Sequence, residues 1–348
     1  MQKKLIALAV AAAAAAPAFA QSNVTVYGRV DMGYSYSGSH SGDAESRNGI
    51  DSGLLQPSFI GFKGTEDLGN GLKVGFDVQT RLNFDTNEER DYIASSSRRD
   101  SYLFLSGGFG TVAAGRLTTP QNAFLGSLDP FLDSAITGFS TNYTQGAGLL
   151  NFVLSGKADP VTRLDNTVAY ISPSFSGLTV TVAYTASALN DERADDDLDA
   201  NIWAVSPVYK NGPLTLGANY HKVKVDAIDA TETVWDLGAA YDFGVVKLAA
   251  AYGQDKLELG GDDGKVKQWF LAATVPVSAA GNVVLAYGQQ EIDDVDDSNN
   301  DRFSIGYHHS LSKRTTVYAQ YGDYDIEENS LAGEGYESKF GLGVRHTF

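Results

Sequence analysis

Basic side chains recur in this sequence at positions that alternate with apolar ones. Arg29 shares its parity with Tyr27 and Asp31, while Val26 and Val30 take the opposite parity in the same segment. Because successive side chains of a β-strand point to opposite faces, this pattern predicts a strand with one polar and one apolar face. The same parity places three more basic side chains on polar faces: Lys63, Arg81 and Arg163. Fixed positive charges on a shared face attract anionic solutes and orient dipolar ones.

The residue types that catalysis or metal binding needs are scattered along the chain. It contains no cysteine and five histidines, so a thiolate metal site is excluded. The pair His308-His309 stands beside a predicted tight turn. A hydrolase would need a serine and a histidine held together, and His346 has the parity of the apolar face. We therefore expect no enzymatic activity and no cofactor.

The N-terminus has the organisation of a secretory signal peptide. A basic start precedes an apolar run from Leu5 to Ala16, and Ala18-Phe19-Ala20 has the small-x-small form of a cleavage site. The run is shorter than the roughly 20 residues that a membrane-spanning helix needs. We expect residues 1–20 to be removed on export, which leaves residues 21–348 as one folded domain.

The elements that must position the basic side chains are strands, because polar–apolar alternation recurs to the end of the chain. It is most regular over residues 72–84, where apolar side chains take the even positions and Lys73, Asp77 and Arg81 take odd ones. Glycine and asparagine mark short turns, since they adopt the positive φ angles of tight hairpins. Short turns are predicted at 67–71, 107–110, 174–177, 210–213, 242–244, 279–282 and 311–314. Longer polar stretches fall near 37–56, 85–98, 117–161, 188–198, 225–232, 258–264, 291–301 and 325–336.

Short and long connections alternate, which indicates the class of sheet. Seven short turns and eight long stretches make fifteen connections and therefore 16 strands. An even number of antiparallel strands, with short periplasmic turns at one rim and long loops at the other, is typical of outer-membrane barrels. Lipid cannot hydrogen-bond an open sheet edge, so the barrel must close. The sequence predicts an all-β fold, a 16-stranded antiparallel transmembrane β-barrel in the bacterial outer membrane.

The net charge of −17 comes mainly from three acidic stretches. Residues 191–199, 291–301 and 323–337 together hold eighteen acidic residues and one arginine. They coincide with predicted long loops, and an acidic chain of this kind is not expected to bind nucleic acid. Two interpretations are open. The carboxylates keep exposed loops soluble and are screened within about 8 Å at physiological salt, or they bind divalent cations shared with lipopolysaccharide and concentrate cations at the outer rim.

The last predicted strand ends on an aromatic residue. Phe340, Leu342, Val344 and His346 share one parity, and the chain stops at Phe348. A terminal aromatic side chain on the apolar face suits the interfacial girdle of a barrel in a membrane. It also resembles the C-terminal signature by which outer-membrane proteins are handed to the barrel-assembly machinery.

Five stretches spread over the mature chain carry a family resemblance. They are VTVYGRVDMGY at 24–34, GFKGTEDLGNGLKVGFDV at 61–78, GGFGTVAAGR at 107–116, RLDNTVAYISPSFSGLTV at 163–180 and GLGVRHTF at 341–348. Together they make the chain similar to the general porins of β-proteobacteria, the neisserial-type family of Gram-negative porins. The resemblance implies a homotrimer of 16-stranded barrels in outer-membrane lipid and lipopolysaccharide. It also implies that the third loop, here 117–161, folds inward to form the constriction of each pore.

In that family, acidic residues of the third loop face basic side chains on the opposing wall. Here the loop carries Asp129 and Asp133. Arg116 adds to the basic candidates, although its direction is open because it stands where a strand enters the loop. Opposed charges in a narrow throat set the ionic preference. Two alternatives stay open: the loop acids pin the loop to the wall by hydrogen bonds, and the basic residues are a solvated lumen face without a selective role.

One position departs from the family pattern. Before the GFKG stretch the family usually reads Ser-Arg-apolar-Gly, whereas this chain has Ser58-Phe59-Ile60-Gly61. By parity Phe59 points inward with Lys63. Its ring could narrow the throat, offer a stacking surface, or pack beneath the folded loop, which is the interpretation we favour. The missing arginine and the acidic mouth favour cations, against the anion selectivity that is frequent in the family.

The sequence thus predicts a passive channel for small hydrophilic solutes and ions. Two alternative functions stay open. One is a channel selective for a substrate class such as organic acids or sugars, in which Phe59 and the basic wall form a weak site. The other is a surface-interaction protein whose acidic outer loops bind a partner while the pore is incidental.

Overall fold

A computed structural model describes residues 24–39, 46–85, 98–132, 134–138, 162–186, 200–331 and 335–348. The predicted signal peptide, 1–20, lies outside these residues. No helix in the described ranges is long and apolar enough to cross a membrane. The strands are β1 Thr25–Ser39, β2 Arg47–Ser52, β3 Phe59–Gly69, β4 Leu72–Arg81, β5 Arg98–Gly107, β6 Gly110–Thr118, β7 Arg163–Ile171, β8 Leu178–Thr185, β9 Ala200–Asn211, β10 Leu214–Val225, β11 Ala230–Asp242, β12 Lys247–Leu259, β13 Asp262–Pro276, β14 Gly281–Ile292, β15 Asn300–Ser310, β16 Thr315–Ile326 and β17 Gly335–Thr347. An α-helix, α1, spans Pro120–Leu128, and a short 3₁₀-helix spans Asp226–Ile228.

The strands form a closed antiparallel barrel. Each strand from β3 to β16 pairs with the next one along the chain, and β17 returns to β1, where Arg29 lies opposite Thr347. On its other side β1 pairs with β2 through residues 32–37 and with β3 through residues 25–29. β2 and β3 therefore occupy one position in the wall, interrupted by residues 53–58. The 16 predicted strand positions and the closure are confirmed.

The two faces of the wall have opposite character, as the alternation predicts. On the outer face, large apolar side chains are exposed, such as Val26 (52%), Trp203 (58%) and Leu271 (56%). On the inner face, Asp31 and Glu232 are fully enclosed. A protein that folds in water would bury the apolar set, whereas hydrocarbon is a favourable solvent for it. The outer face is therefore the lipid-facing surface.

All seven short turns lie where the sequence predicts them, each between two paired strands. One predicted long loop is wrong: the stretch 258–264 is a two-residue hairpin, Gly260-Gly261, that joins β12 to β13. Both glycines have positive φ angles, 61° and 100°, as a type I′ turn requires. Asp323 and Asp325, also expected in a loop, lie on β16. Strands that rise beyond the lipid carry polar residues on both faces, so their ends resemble loops in sequence.

The C-terminus closes the barrel against its first strand. Phe348 exchanges two backbone hydrogen bonds of 3.1 Å with Gly28 of β1. Its ring is 43% exposed and lies where a β-carbon on Gly28 would come within 2.7 Å of it. The terminal aromatic side chain therefore lies on the lipid-facing surface, as its parity predicts.

The third long connection leaves β6 and turns into the lumen. Its described part begins with α1, which Thr119 caps by accepting a hydrogen bond from the backbone N–H of Asn122 (3.2 Å). Pro120 takes the first helical position, where the missing N–H has no intrahelical partner to lose. The helix then lies against the inner faces of β8 to β12. The described part of the third loop, residues 117–132 and 134–138, is thus folded inward, as the sequence predicts.

Candidate pore constriction

Close packing holds α1 against the wall. Phe124 is 3% exposed, and its ring lies over Gly217 of β10 and Gly238 of β11, where an added β-carbon would be 2.3 and 3.0 Å from ring atoms. Gln121 donates a hydrogen bond from Nε2 to Oδ2 of Asp236 (2.7 Å). The helix thus fits a recess in the wall that side chains at these glycines would fill.

Hydrogen bonds fix the segment that follows α1 to a more distant part of the wall. The Ser134 hydroxyl lies 2.8 Å from the carbonyl oxygen of Leu54 and 2.7 Å from Oε1 of Gln320. The backbone N–H of Ala135 donates to the same Leu54 carbonyl (3.0 Å). Tyr324 of β16 donates to the carbonyl oxygen of Ile136. The described part of the loop therefore follows the inner wall from β8 round to β16.

The loop acid Asp129 has a structural role. Its Oδ1 accepts a hydrogen bond from the backbone N–H of Phe131 (2.9 Å), and the residue is 3% exposed. This contact lies within the loop itself, and the alternative in which loop acids pin the loop to the wall stays a prediction. Asp133 lies outside the described residues.

Three of the basic residues predicted on the inner face, Arg29, Lys63 and Arg81, lie on the sector of wall away from α1. Arg29 of β1 is opposite Phe59 of β3, which is opposite Arg81 of β4, so the three form one row. Arg29 donates from Nη1 to Oε1 of Gln56 (2.7 Å), and from Nε and Nη2 to the carbonyl oxygen of Pro57 (3.1 and 3.0 Å). These contacts hold the guanidinium beside the break between β2 and β3.

The ring of Phe59 contacts two cations. The guanidinium carbon of Arg29 lies 5.1 Å from the ring centre and that of Arg99 lies 5.2 Å from it, both within the range of a cation–π interaction. Tyr27 meets the ring edge-on, with ring centres 5.7 Å apart. Phe59 therefore organises the basic wall. Loop residues 139–161 lie outside the described ranges. The packing of Phe59 beneath them therefore stays a prediction.

Arg99 belongs to this group, and strand parity does not predict it. The register between β4 and β5 shifts between Val78 and Thr80, and such an irregularity changes which side chains point inward. Arg99 Nε then lies 3.4 Å from Oε1 of Gln79. Only the pairing of the two strands reveals this position, because a one-residue shift leaves no mark in the pattern of a single strand.

Lys63 and Asp77 lie one step further along the same sector. The Tyr27 hydroxyl lies 2.6 and 2.7 Å from the two oxygens of Asp77, and Gln79 Nε2 donates to the Tyr27 oxygen (2.9 Å). The Lys63 ammonium lies 4.5 Å from the centre of the Tyr27 ring. Asp77 is thus hydrogen-bonded and half-buried, while Lys63 is exposed.

Arg116 and Arg163 form ion pairs at the two ends of the third loop. Arg116 Nη1 lies 3.0 Å from Oδ1 of Asp165, and Arg163 Nε lies 3.1 Å from Oδ1 of Asp100. Asp100 also accepts a hydrogen bond from the Thr118 hydroxyl (2.7 Å). Arg116 ties β6, from which the loop departs, to β7, to which it returns, and Arg163 ties β7 to β5.

Comparison with known proteins agrees with this geometry. A family model described as Gram-negative porin matches residues 7–329. The chain belongs to the Gram-negative porin family. It is 33% identical to outer membrane porin protein 32 of Delftia acidovorans and 31% identical to the major outer membrane protein P.IB of Neisseria meningitidis serogroup B, over the whole of each chain. The anion-selective porin from Comamonas acidovorans has a TM-score of 0.81 and 29% identity, over 94% of this chain and 100% of that one. The predicted family, channel function and outer-membrane location are confirmed.

Beside α1 the lumen of this porin widens into a cavity. The cavity has a volume of 740 Å³ and is bounded by α1 and the inner faces of β5 to β10. It extends from Gln121 of the helix to Gly177 and Lys210, which stand at short turns. A smaller cavity of 390 Å³ lies between the loop and β12 to β15.

The described acidic loop of the porin, which follows β14, is partly neutralised by lysines. Lys267 Nζ lies 2.5 Å from Oδ1 of Asp293, and this hydrogen bond lowers the pKa of the Asp293 carboxyl. Lys265 Nζ lies 4.0 Å from Oδ2 of the same residue. Within the part of the chain that the structure describes, no group of three or more His, Cys, Asp or Glu side chains is arranged to hold a metal ion.

Proposed function

We propose that this porin, a passive diffusion channel for small hydrophilic solutes, prefers anions. The observation that carries the preference is the row of Arg29, Phe59 and Arg81, which Arg99 and Lys63 extend on the same sector. Fixed positive charge beside a narrow, partly desolvated passage raises the local concentration of anions. Phe59 supports the cluster because it holds two guanidinium groups against one ring.

Two carboxylates near the row are held by hydrogen bonds. Asp31 is fully enclosed, and it accepts hydrogen bonds from the Tyr318 hydroxyl (2.7 Å) and from the backbone N–H groups of Leu55 and Gln56. Both oxygens of Asp77 meet the Tyr27 hydroxyl. Four cations, Arg29, Lys63, Arg81 and Arg99, stand against these two carboxylates, so the charge of this sector is mainly positive.

This preference for anions is opposite to the preference for cations that the sequence favours. The family arginine missing at position 59 is offset by Arg99, which the register shift of β5 brings to the Phe59 ring. The acidic mouth acts at longer range, where salt screens it. The solved porin from Comamonas acidovorans is described as anion-selective. This description supports a preference for anions in the present chain.

The reversal potential across a planar bilayer in a KCl gradient tests the proposal. We expect the sign that chloride flux produces, with ohmic conductance steps. A potential of the opposite sign would contradict the preference for anions. Saturable block by one class of organic acid or sugar would favour the substrate-selective alternative, and bilayers without conducting steps would leave only the surface-interaction alternative.

We further propose the assembly that the family resemblance implies: a homotrimer in lipid and lipopolysaccharide, inserted by the barrel-assembly machinery through Phe348. A trimer predicts conductance in groups of three equal steps and a heat-labile trimeric band in gels. Deletion of Phe348 should lower the amount of barrel in the outer membrane, whereas Lys313→Ala in a short turn should not. The channel needs neither a cofactor nor catalysis. Binding of divalent cations by the acidic loops stays a prediction, which calorimetric titration with Ca²⁺ tests.

A further inference from the structure

Aromatic side chains mark the upper edge of the lipid-facing surface, on the side away from the short turns. On four neighbouring strands, β10 to β13, they are Tyr220, Trp235, Tyr252 and Trp269. Tyr220 is opposite Trp235, Tyr252 is opposite Trp269, and the ring centres of Trp235 and Tyr252 are 5.6 Å apart. Tryptophan and tyrosine gather where the headgroups of a membrane begin. We call these residues the upper girdle.

Five lysines lie on the outer face two or four residues beyond the upper girdle. They are Lys222 and Lys224 of β10, Lys256 of β12, and Lys265 and Lys267 of β13. We call them the lysine belt. The intervening residues Val223 and Val266 are fully enclosed on the inner face, so the lysines point outward.

Three lysines of the belt stand in one row across adjacent strands. Lys222 is opposite Thr233, Thr233 is opposite Lys256, and Lys256 is opposite Lys265. Neighbouring strands are about 4.8 Å apart, so the row extends over roughly 14 Å. The side chains can therefore contact one headgroup or two adjacent ones at the same time.

Outward residues at the same two levels of β14 to β16 carry the opposite charge. Among the described residues there they include four acidic side chains and no basic one: Glu291, Asp301, Asp323 and Asp325. A solvated surface ordinarily intersperses both signs. Charge at this level of the wall is instead divided between a basic arc and an acidic arc.

Carboxylates near the lysine belt lie further from the lipid than the lysines do. Lys256 Nζ lies 2.5 Å from Oε1 of Glu258 and 3.3 Å from Oδ2 of Asp263, and both carboxylates are 54% exposed. Exposed pairs of this kind contribute little to stability. Lys222 has no ion pair in the part of the chain that the structure describes. Because a lysine stem is flexible, a phosphate group nearer the lipid can take the place of these carboxylates.

We propose that the lysine belt binds the phosphate groups of lipopolysaccharide in the outer leaflet. The belt begins where the headgroups of that leaflet lie, and an ammonium group binds phosphate as a point charge. Such binding needs no divalent cation, unlike a contact made through the acidic loops. The inference rests on the proposed assembly in lipopolysaccharide, to which it adds the surface and the chemical group. It is independent of the preference of the pore for anions.

Titration of the purified protein in detergent micelles with diphosphoryl lipid A tests the belt. The three tryptophans of the chain, Trp203, Trp235 and Trp269, lie on β9, β11 and β13, so their fluorescence reports on this part of the wall. With EDTA present, we expect a saturable change in fluorescence, and none with dephosphorylated lipid A. At 1 M salt, where the screening length is about 3 Å, binding should weaken. Equal responses to the two lipids, or displacement of diphosphoryl lipid A by the same concentration of inorganic phosphate, would overturn the proposal.

Neutralising the row of three lysines should weaken the binding of diphosphoryl lipid A. The combined variant Lys222→Gln, Lys256→Gln and Lys265→Gln should lower the affinity by about tenfold or more, since each lysine near an anionic surface contributes to binding. The control removes the same charge beside the short turns: Lys73→Gln, Lys247→Gln and Lys313→Gln. It should leave the affinity within about twofold. Unchanged affinity in the belt variant would overturn the belt and leave lipopolysaccharide bound elsewhere on the wall.

Removing the carboxylates that compete with phosphate should have the opposite effect. Glu258→Gln combined with Asp263→Asn frees Lys256 and should raise the affinity for diphosphoryl lipid A by about threefold. Asp323→Asn combined with Asp325→Asn makes the same change in charge on β16 and should raise it less. Equal gains would mean that net charge and not the belt determines binding, which would overturn the proposal.

A second copy of this chain is the competing occupant, because the acidic arc on β14 to β16 is complementary to the lysine belt. Loss of the trimeric band in gels of the belt variant would place the belt between copies and overturn the proposal. If the parent protein conducts but does not bind diphosphoryl lipid A, the belt and the contact with lipopolysaccharide both fail, while the channel function stands. Bilayers without conducting steps would overturn the channel function instead.

Discussion

The lumen of this porin has two sectors that differ in chemistry. The charged sector, on β1 to β5, consists of Arg29, Phe59, Lys63, Arg81 and Arg99. The apolar sector is the cavity lining on β5 to β10, made mainly of alanine, threonine and serine with the rings of Tyr102 and Phe104. In the charged sector an aromatic ring holds cations, whereas in the apolar sector Phe104 rests on backbone. The charged and the uncharged parts of the lining are therefore separated around one circumference.

The third loop accounts for part of the difference. It lies over the inner faces of β8 to β12, where Glu232, Asp236 and Asp255 are fully enclosed. The charges of these carboxyls are thereby kept out of the conducting path.

Charge reversal in the charged sector should have the largest effect on the ion selectivity that distinguishes the two sectors. Arg81→Glu places a negative charge in the row beside Phe59 and should lower the chloride-to-potassium permeability ratio by about threefold to tenfold, since two charges a few ångströms apart interact by about 1 kcal/mol even in water. The reversal potential measures it. Lys73→Glu, on the same face of β4 but beside the short turn, is the control and should change the ratio far less. Equal effects would mean that the row does not lie at the selective part of the pore.

Filling the recess of the wall that holds α1 should have the next largest effect. Gly217→Val forces a side chain into the Phe124 ring and should destabilise the barrel by about 1–3 kcal/mol, as overpacking of a core does. Chemical unfolding followed by tryptophan fluorescence measures it. Displacement of α1 would also uncover the enclosed acids and lower the preference for anions. The control is Gly264→Val, where an added β-carbon has no neighbour within 4 Å; a variant at Gly217 as stable as this control would contradict the packing.

Substitution of Phe59 should have a moderate effect, because it changes how the arginines are held and not how many there are. Phe59→Leu removes the cation–π contacts, each about 0.5–1 kcal/mol at exposed sites, and should lower the anion preference by about twofold. Phe59→Tyr should preserve it, and Phe59→Arg should raise it. The reversal potential distinguishes the three. If Phe59→Leu matches the parent protein, the ring does not organise the charged sector.

Neutralisation of the described acidic loop should have the smallest effect. The triple variant Asp294→Asn, Asp296→Asn and Asp297→Asn should change the permeability ratio slightly at low salt and not at 1 M salt, where the screening length is about 3 Å. Measurements of the reversal potential at the two salt levels test this. A change that persists at high salt would mean that these carboxylates lie close to the conducting path.

Period-2 alternation, together with the turn residues that divide it, determined the barrel. It predicts the number of strand positions, the faces of Arg29, Lys63 and Arg81, and the lipid-facing position of Phe348, because successive side chains of a strand must face lipid and water in turn. Its errors lie at the rims. The stretch 258–264 is polar and was predicted as a loop, but it pairs as strand because strand ends beyond the lipid need no apolar face.

The tertiary structure decided which charges act. Arg99 joins the charged sector through a register shift between two strands, and Arg116 is neutralised by Asp165 from another strand. The loop's path depends on contacts between distant positions, such as Gln121 with Asp236 and Ser134 with Gln320. Alternation acts between neighbours in the chain, so it can be read from the sequence. Register, loop docking and the cavity depend on residues that meet only after the barrel has closed.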